Sequence, residues 1–241
     1  MRSPGLAIPR HTSPGLNRRF VSVDLQSMLV RDWMTRRLWT VGPEATIASA
    51  VGVMIRGKVR RLVVEVDGQA VGMLARSDVL RAAPAGTNPF SVADLDGRRL
   101  DLPVRQAMTA PVITVSPQSP IEEAASLMKN RKIGALIVMA DHQLAGILTE
   151  SDIFRAFVAM LGDSDSGVRI CFDISAGEDA VAFTVGLASR HGMRLASVST
   201  YRQEQQRIAV VRLAGPEPPG MLDELWTTGH RVLSVIRPRT G

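Results

Sequence analysis

The chain contains itself twice, and that fact restricts its fold more than any other. Sliding residues 30–82 onto 104–156, a fixed offset of 74, gives 21 identities in 53 positions without a gap. Each copy repeats one local order. A β-rich stretch (38–41; 112–115) runs into Pro43 or Pro117, and a helical face follows. That face is Ile47, Ala50, Val51 and Met54 in the first copy and Ile121, Ala124, Ala125 and Met128 in the second. A strand (59–66; 133–140), a turn at Asp67 or Asp141 and a second strand (71–75; 145–149) come next. A helix then opens at Ser77-Asp78 or Ser151-Asp152, so the unit is β-α-β-β-α.

From Val168 the repeat stops. Alternating Val168, Ile170, Phe172 and Ile174 predict a strand, and Ala180, Phe183 and Leu187 predict one face of a helix ended by Gly192. Strands at 195–201 and 207–214, a helix with Leu222, Leu225 and Trp226 inward, and a last strand at 232–236 complete the order. This is β-α-β-β-α-β, a ferredoxin-like arrangement. The expected class is α+β, with boundaries at 28–84, 104–162 and 167–238, an extension at 1–27 and a linker at 85–103.

The repeats also carry a family resemblance. Met34-Thr35 and Met108-Thr109, the Thr-Val-x-Pro segments, and Gly146-Ile147-Leu148-Thr149-Glu150-Ser151-Asp152 resemble a tandem pair of CBS domains, the module named after cystathionine β-synthase. The resemblance implies two repeats packed through their sheets about a pseudo-twofold axis. It implies clefts for an adenosine-containing ligand: AMP, ADP, ATP or S-adenosylmethionine. It assigns the ribose hydroxyls to Asp152, and the phosphate to Thr149, Ser151 and the helix start. Thr114, Ile133 and Gly134 then flank the base, and in the first copy Asp78 is joined by Thr40, Val59 and Arg60. Ala75 stands where the second copy has Thr149, so one cleft is expected to be preferred.

The residues alone leave a second reading open. Thr149 and Asp152 have the three-residue spacing of a helix cap, which needs no ligand. Arg60-Arg61, replacing Gly134-Ala135, are either phosphate contacts across the cleft or solvated strand-edge charges.

The third segment resembles an ACT domain, a regulatory module that often binds amino acids and pairs side by side. The resemblance lies in residues 191–195 (His-Gly-Met-Arg-Leu), Glu224-Leu225 and residues 229–232 (Gly-His-Arg-Val). The turn at residues 173–177, Asp-Ile-Ser-Ala-Gly, is one residue longer than the Asp-x-Pro-Gly of amino-acid binders and lacks its proline. A structural or dimerising role is therefore expected over amino-acid binding, with Cys171 a packed sheet residue. Two CBS domains followed by an ACT-like domain is the order of the acetoin-utilisation AcuB-like family. Such proteins often start as residues 28–35 do, so 1–27 is expected to be a disordered tail or an untranslated start.

Composition bears on the remaining classes. The net charge is +6, but residues 1–27 hold Arg2, Arg10, Arg18 and Arg19 against Asp24, leaving 25 basic and 22 acidic side chains over the rest. With 4% aromatics and no helix-turn-helix or RNA-binding motif, nucleic acid is not the expected partner. One cysteine and four dispersed histidines give neither a disulfide scaffold nor metal-ligand spacing. No nucleophile–base pair, carboxylate dyad or phosphate loop is present in the sequence, so the expectation is a non-enzymatic regulator requiring no cofactor. No apolar run reaches the roughly 20 residues of a membrane span, and 1–27 lacks a signal-peptide core. A cytoplasmic homodimer is expected.

Overall fold

The computed structural model describes residues 28–83, 88–90, 100–161, 167–177, 179–217 and 220–237. The tail 1–27, most of the linker and the outer boundaries at 84, 162 and 238 lie outside these residues. The first repeat comprises α1 (Val30–Trp33), β1 (Thr40–Val41), α2 (Ile47–Gly57), β2 (Arg61–Val66), β3 (Gln69–Ala75) and α3 (Arg76–Ala82). After a 3-10 turn at Val104–Gln106, the second has β4 (Thr114–Val115), α4 (Ile121–Arg131), β5 (Ala135–Ala140), β6 (Gln143–Thr149) and α5 (Glu150–Leu161).

The repeats agree to the level of single backbone irregularities. In each three-stranded sheet the short first strand pairs parallel with the second, which pairs antiparallel with the third. A bulge falls between Val64 and Glu65 in one sheet and between Val138 and Met139 in the other, the same place at an offset of 74. Lys58 and Lys132 end α2 and α4 in left-handed conformations, with φ of 51° and 53°. Each caps its helix by donating its amide to carbonyls of the last turn. The helical apolar faces are largely buried as their spacing requires: Ile47, Ala50, Val51 and Met54 in α2, and Ile121, Ala124 and Met128 in α4, with Ala125 only half-buried at the edge of that face.

The segments that lead into the repeats are exchanged. Val30 is fully buried in the core of the second repeat, among Ile121, Leu136 and Leu148, with Met28, Trp33 and Met34 packed alongside. Leu100 and Val104 are buried in the core of the first, with Ile47, Leu62 and Leu74. Two isolated backbone ladders fix the exchange. Thr35 pairs with Ile147 of β6 at 2.9 and 3.0 Å, and Thr109 pairs with Met73 of β3 at 2.8 and 3.0 Å. Those pairs interchange at the offset of 74, which is the pseudo-twofold relation written in hydrogen bonds. Each repeat therefore completes its partner's core.

The C-terminal unit comprises β7 (Gly167–Asp173), α6 (Asp179–Arg190), β8 (Arg194–Gln203), β9 (Gln206–Ala214), α7 (Met221–Trp226) and β10 (Val232–Ile236). Its four strands lie in the order β10-β7-β9-β8, every neighbouring pair antiparallel. Ile170, Phe172, Val211 and Leu213 meet Leu187 of α6 and Leu225 of α7 in the core. Cys171, Ile208 and Val210 form a smaller buried cluster of their own. Trp226 departs from expectation at 55% exposure. The six-residue α7 ends at that residue, and Met221, Leu222 and Leu225 take the buried positions instead. The hydroxyl of Ser197 in β8 donates to the Leu161 carbonyl at the end of α5, at 2.7 Å, tying this unit to the second repeat.

Candidate functional site

The strand starts and helix starts that each repeat builds meet those of the other repeat. Between them lies a cleft of about 420 Å³, within the range of small-molecule sites. Lys58, Val59, Arg60 and Arg61 at the entry to β2 line it together with Thr149, Glu150 and Ser151 at the junction of β6 and α5. Ala75, Arg76 and Ser77 also reach it, because the antiparallel register sets Ala75 opposite Arg61. A second cleft, of about 240 Å³, is built the opposite way round: Ser77 and Asp78 face Ile113, Ile133, Gly134 and Ala135.

This placement crosses the groupings expected from sequence. Val59 and Arg60 share a cleft with Thr149 and Ser151, not with Asp78. Ile133 and Gly134 share one with Asp78, not with Asp152. The cause is the exchange of leading segments, since pairing Thr35 with Ile147 draws the end of β6 toward the first repeat. Thr40 and Thr114 are exposed and line neither cleft; their neighbours Trp39 and Ile113 do.

Asp152 does not line the larger cleft. It is 5% exposed, and its Oδ2 accepts from both the amide and the hydroxyl of Thr149, at 2.8 and 2.7 Å. Its Oδ1 accepts from Arg155, whose guanidinium also donates to the Trp33 carbonyl at 3.1 Å. Asp78 is engaged in the same way, accepting from the Ala75 amide at 2.7 Å and pairing with Arg81. Both carboxylates close helix starts, the cap spacing realised.

The electrostatics of the larger cleft are one-sided. Among the described residues, Arg37, Lys58, Arg60, Arg61 and Arg76 line it against the single carboxylate of Glu150. Arg61 pairs with Glu150 at 3.9 Å, joining β2 of one repeat to α5 of the other. Gly134 makes room for this: a Cβ there would lie 2.1 Å from the Arg61 guanidinium and 2.9 Å from the Glu150 carboxylate. Arg76 and Arg37 rest on the faces of Phe90 and Trp39, at 4.2 and 5.7 Å. Sequence reasoning passed over Arg37, Lys58, Trp39 and Arg76. The signal was available at the offset of 74, where Arg76 stands against Glu150 and Arg37 against Pro111. Among the described residues no cluster of His, Cys, Asp and Glu has the arrangement of a metal site, and no helix is long and apolar enough to cross a membrane.

Two β-α-β-β-α units exchange their leading segments and enclose clefts between strand starts and helix starts, which makes them one paired module. The CBS domain family model matches residues 30–85 and again 104–159. The chain carries a tandem pair of CBS domains.

Relatives of this pair are spread widely. The uncharacterized protein MJ1404 of Methanocaldococcus jannaschii is 31% identical over 126 residues, covering 51% of this chain and 30% of that protein. The CBS domain-containing protein YhcV of Bacillus subtilis is 28% identical over 124 residues, 52% of this chain and 81% of that protein. The chain spans under half the length of MJ1404 and of MJ1225 from the same archaeon, 30% and 49% respectively. Among solved structures, the CBS-domain containing protein ATU1752 from Agrobacterium tumefaciens is 27% identical, covering 55% of this chain and 97% of its own, with a TM-score of 0.46. CBSX2, solved in complex with AMP, is 29% identical over 54% of this chain and 95% of its own, with a TM-score of 0.44.

Proposed function

We propose that this chain is a non-enzymatic regulatory protein that senses an adenosine-containing ligand, AMP, ADP, ATP or S-adenosylmethionine, in the clefts of its CBS pair. The observation that carries the reading is the composite cleft, in which Val59 and Arg60 of one repeat face Thr149 and Ser151 of the other. A ligand touching both walls binds one arrangement of the repeats more tightly than any other, which is the differential affinity that signalling requires. Val59 supplies an apolar wall for a base, and Ser151 supplies a hydroxyl beside a helix start for a phosphate, the Thr149 hydroxyl being donated to Asp152.

The C-terminal unit is read as an ACT-like, ferredoxin-like domain that relays the change or pairs copies of the chain. Its support is the order β-α-β-β-α-β and the sheet order β10-β7-β9-β8. The domain order suggests a place in acetoin metabolism, as in the AcuB-like proteins. A homodimer belongs to this reading, supported by the exposed Phe154, Phe157 and Val158 along α5. A second reading, a structural pairing module with no small-molecule ligand, is favoured by the engagement of Asp152 and Asp78 in helix caps.

Thermal unfolding in each of the four ligands separates the two. At a ligand concentration of 100 Kd, binding adds about 2.7 kcal/mol, a rise in Tm of roughly 5–10 °C for a chain of this size. An unchanged Tm in all four favours the structural module.

A further inference from the structure

The duplication has made the two clefts chemically unlike. Arg37, Arg60, Arg61 and Arg76 occupy positions where the second repeat has Pro111, Gly134, Ala135 and Glu150, and all four line the larger cleft. Arg61 is occupied by Glu150. Arg60 is exposed and has no side-chain partner among the described residues.

Arg76 is held differently. Its guanidinium stacks 4.2 Å from the centroid of Phe90, a residue of the inter-repeat linker. Stacking uses the face of the guanidinium and leaves the N–H donors around its edge unspent. Phe90 and Arg76 share a second depression, of about 290 Å³, with Lys58, Val59 and Arg60, all three of which also line the cleft. The matching depression of the second repeat has Glu150 in place of Arg76 and is lined by Phe154 of α5, not by a linker residue. Stacking on Phe90 thus fixes a fork of donors at the rim of one cleft only.

We infer that the larger cleft selects the polyphosphate end of its ligand, taking a nucleoside di- or triphosphate in preference to the sulfonium cation S-adenosylmethionine. Arg60 and Arg76 bind the phosphate chain, and Phe90 is the positioning residue for Arg76. The inference rests on the reading of the cleft as an adenosine site and specifies which member of that ligand class it prefers. A planar, permanently charged guanidinium matches phosphate geometry, and each charge-assisted contact contributes about tenfold or more in affinity.

The test is calorimetric titration of the full chain with adenosine, AMP, ADP, ATP, S-adenosylmethionine and inorganic tripolyphosphate at two salt concentrations. Affinity is expected to rise at least about tenfold from AMP to ATP, to weaken with salt, and to be competed by tripolyphosphate. Arg60→Gln and Arg76→Gln bring ATP down to the AMP affinity and weaken adenosine far less than ATP. Phe90→Leu reproduces part of the Arg76→Gln loss for ATP alone, and Phe90→Trp restores it. Equal binding of AMP and ATP at low salt overturns the inference, as does tighter binding of S-adenosylmethionine than ATP. An Arg76→Gln loss equal for adenosine, AMP and ATP overturns it too, and so does an absence of binding by every probe. Tripolyphosphate binding that needs Arg60 and Arg76, with no contribution from adenosine, upholds the phosphate assignment and refutes the adenosine reading. Adenosine binding unaffected by added phosphates does the reverse.

Discussion

A Cβ built on Gly146 would lie 2.9 Å from the carbonyl oxygen of Thr35, the residue whose backbone pairs with the adjacent Ile147. The glycine of the Gly-x-x-Thr-x-x-Asp motif is thereby accounted for without a ligand: it admits the leading segment of the opposite repeat. Its counterpart Gly72 faces Met108, where a Cβ would lie 2.4 Å from the thioether sulfur. Backbone held by a ladder yields less than a methionine side chain. Gly146→Ala is expected to cost about 2 kcal/mol and Gly72→Ala about 1 kcal/mol, within the range of overpacking. Urea unfolding of both variants checks the order; a larger loss at Gly72 would show that Met108, not the ladder, is the stiff neighbour.

The exchange of leading segments has a regional signature. Val30 is fully buried in the second repeat's core although it precedes the first repeat in sequence. Val30→Ala is expected to cost about 2 kcal/mol. In hydrogen exchange the lost protection should appear first in α4, β5 and β6, with β2 and β3 little affected. Loss centred on β2 and β3 would mean that α1 serves the repeat it precedes.

Asp152 is predicted to matter for stability whether or not a ligand is present. Replacing it with alanine strips the Thr149 amide and the Arg155 guanidinium of their acceptor. A loss of about 1–3 kcal/mol is expected in ligand-free denaturant unfolding. A loss below about 0.5 kcal/mol, the size of an ordinary surface change, would return Asp152 to a role that only a ligand reveals.

The C-terminal unit carries its own acid response. The Ser175 hydroxyl, then the Ser175 amide, then Arg231 hold the Asp173 carboxyl below its ordinary value of 3.8. Donation from Arg190, then from His191, holds Glu224 below 4.5. A carboxylate depressed in the folded state contributes its stability fully above the unfolded value and loses it as pH falls through the folded one. Stability from these two groups is therefore present at neutral pH and declines below about pH 4. Asp173→Asn should flatten that decline in acid melting curves; an unchanged curve would remove Asp173 from its causes.

Much of the fold was legible because the chain states it twice. Two copies at one offset identify strands, helices and turns that a single copy leaves ambiguous, and the alternation from Val168 to Ile174 places β7 on a sheet face. The groupings across the clefts were not legible. They follow from where Met34-Thr35 and Met108-Thr109 dock, and nothing local to those residues says that each serves the opposite repeat. Trp226 was misplaced because a helical face was extended to the last residue of a short helix. Arg76 stands out only where the copies differ, since the second repeat has Glu150 in its place.

On the proposed function, the ligand bridges the two repeats. Crystals grown with saturating ATP test it directly. The expected density lies in the larger cleft and touches both Val59–Arg60 and Thr149–Ser151. A nucleotide held by residues of one repeat alone, or an empty cleft at saturation, would contradict it.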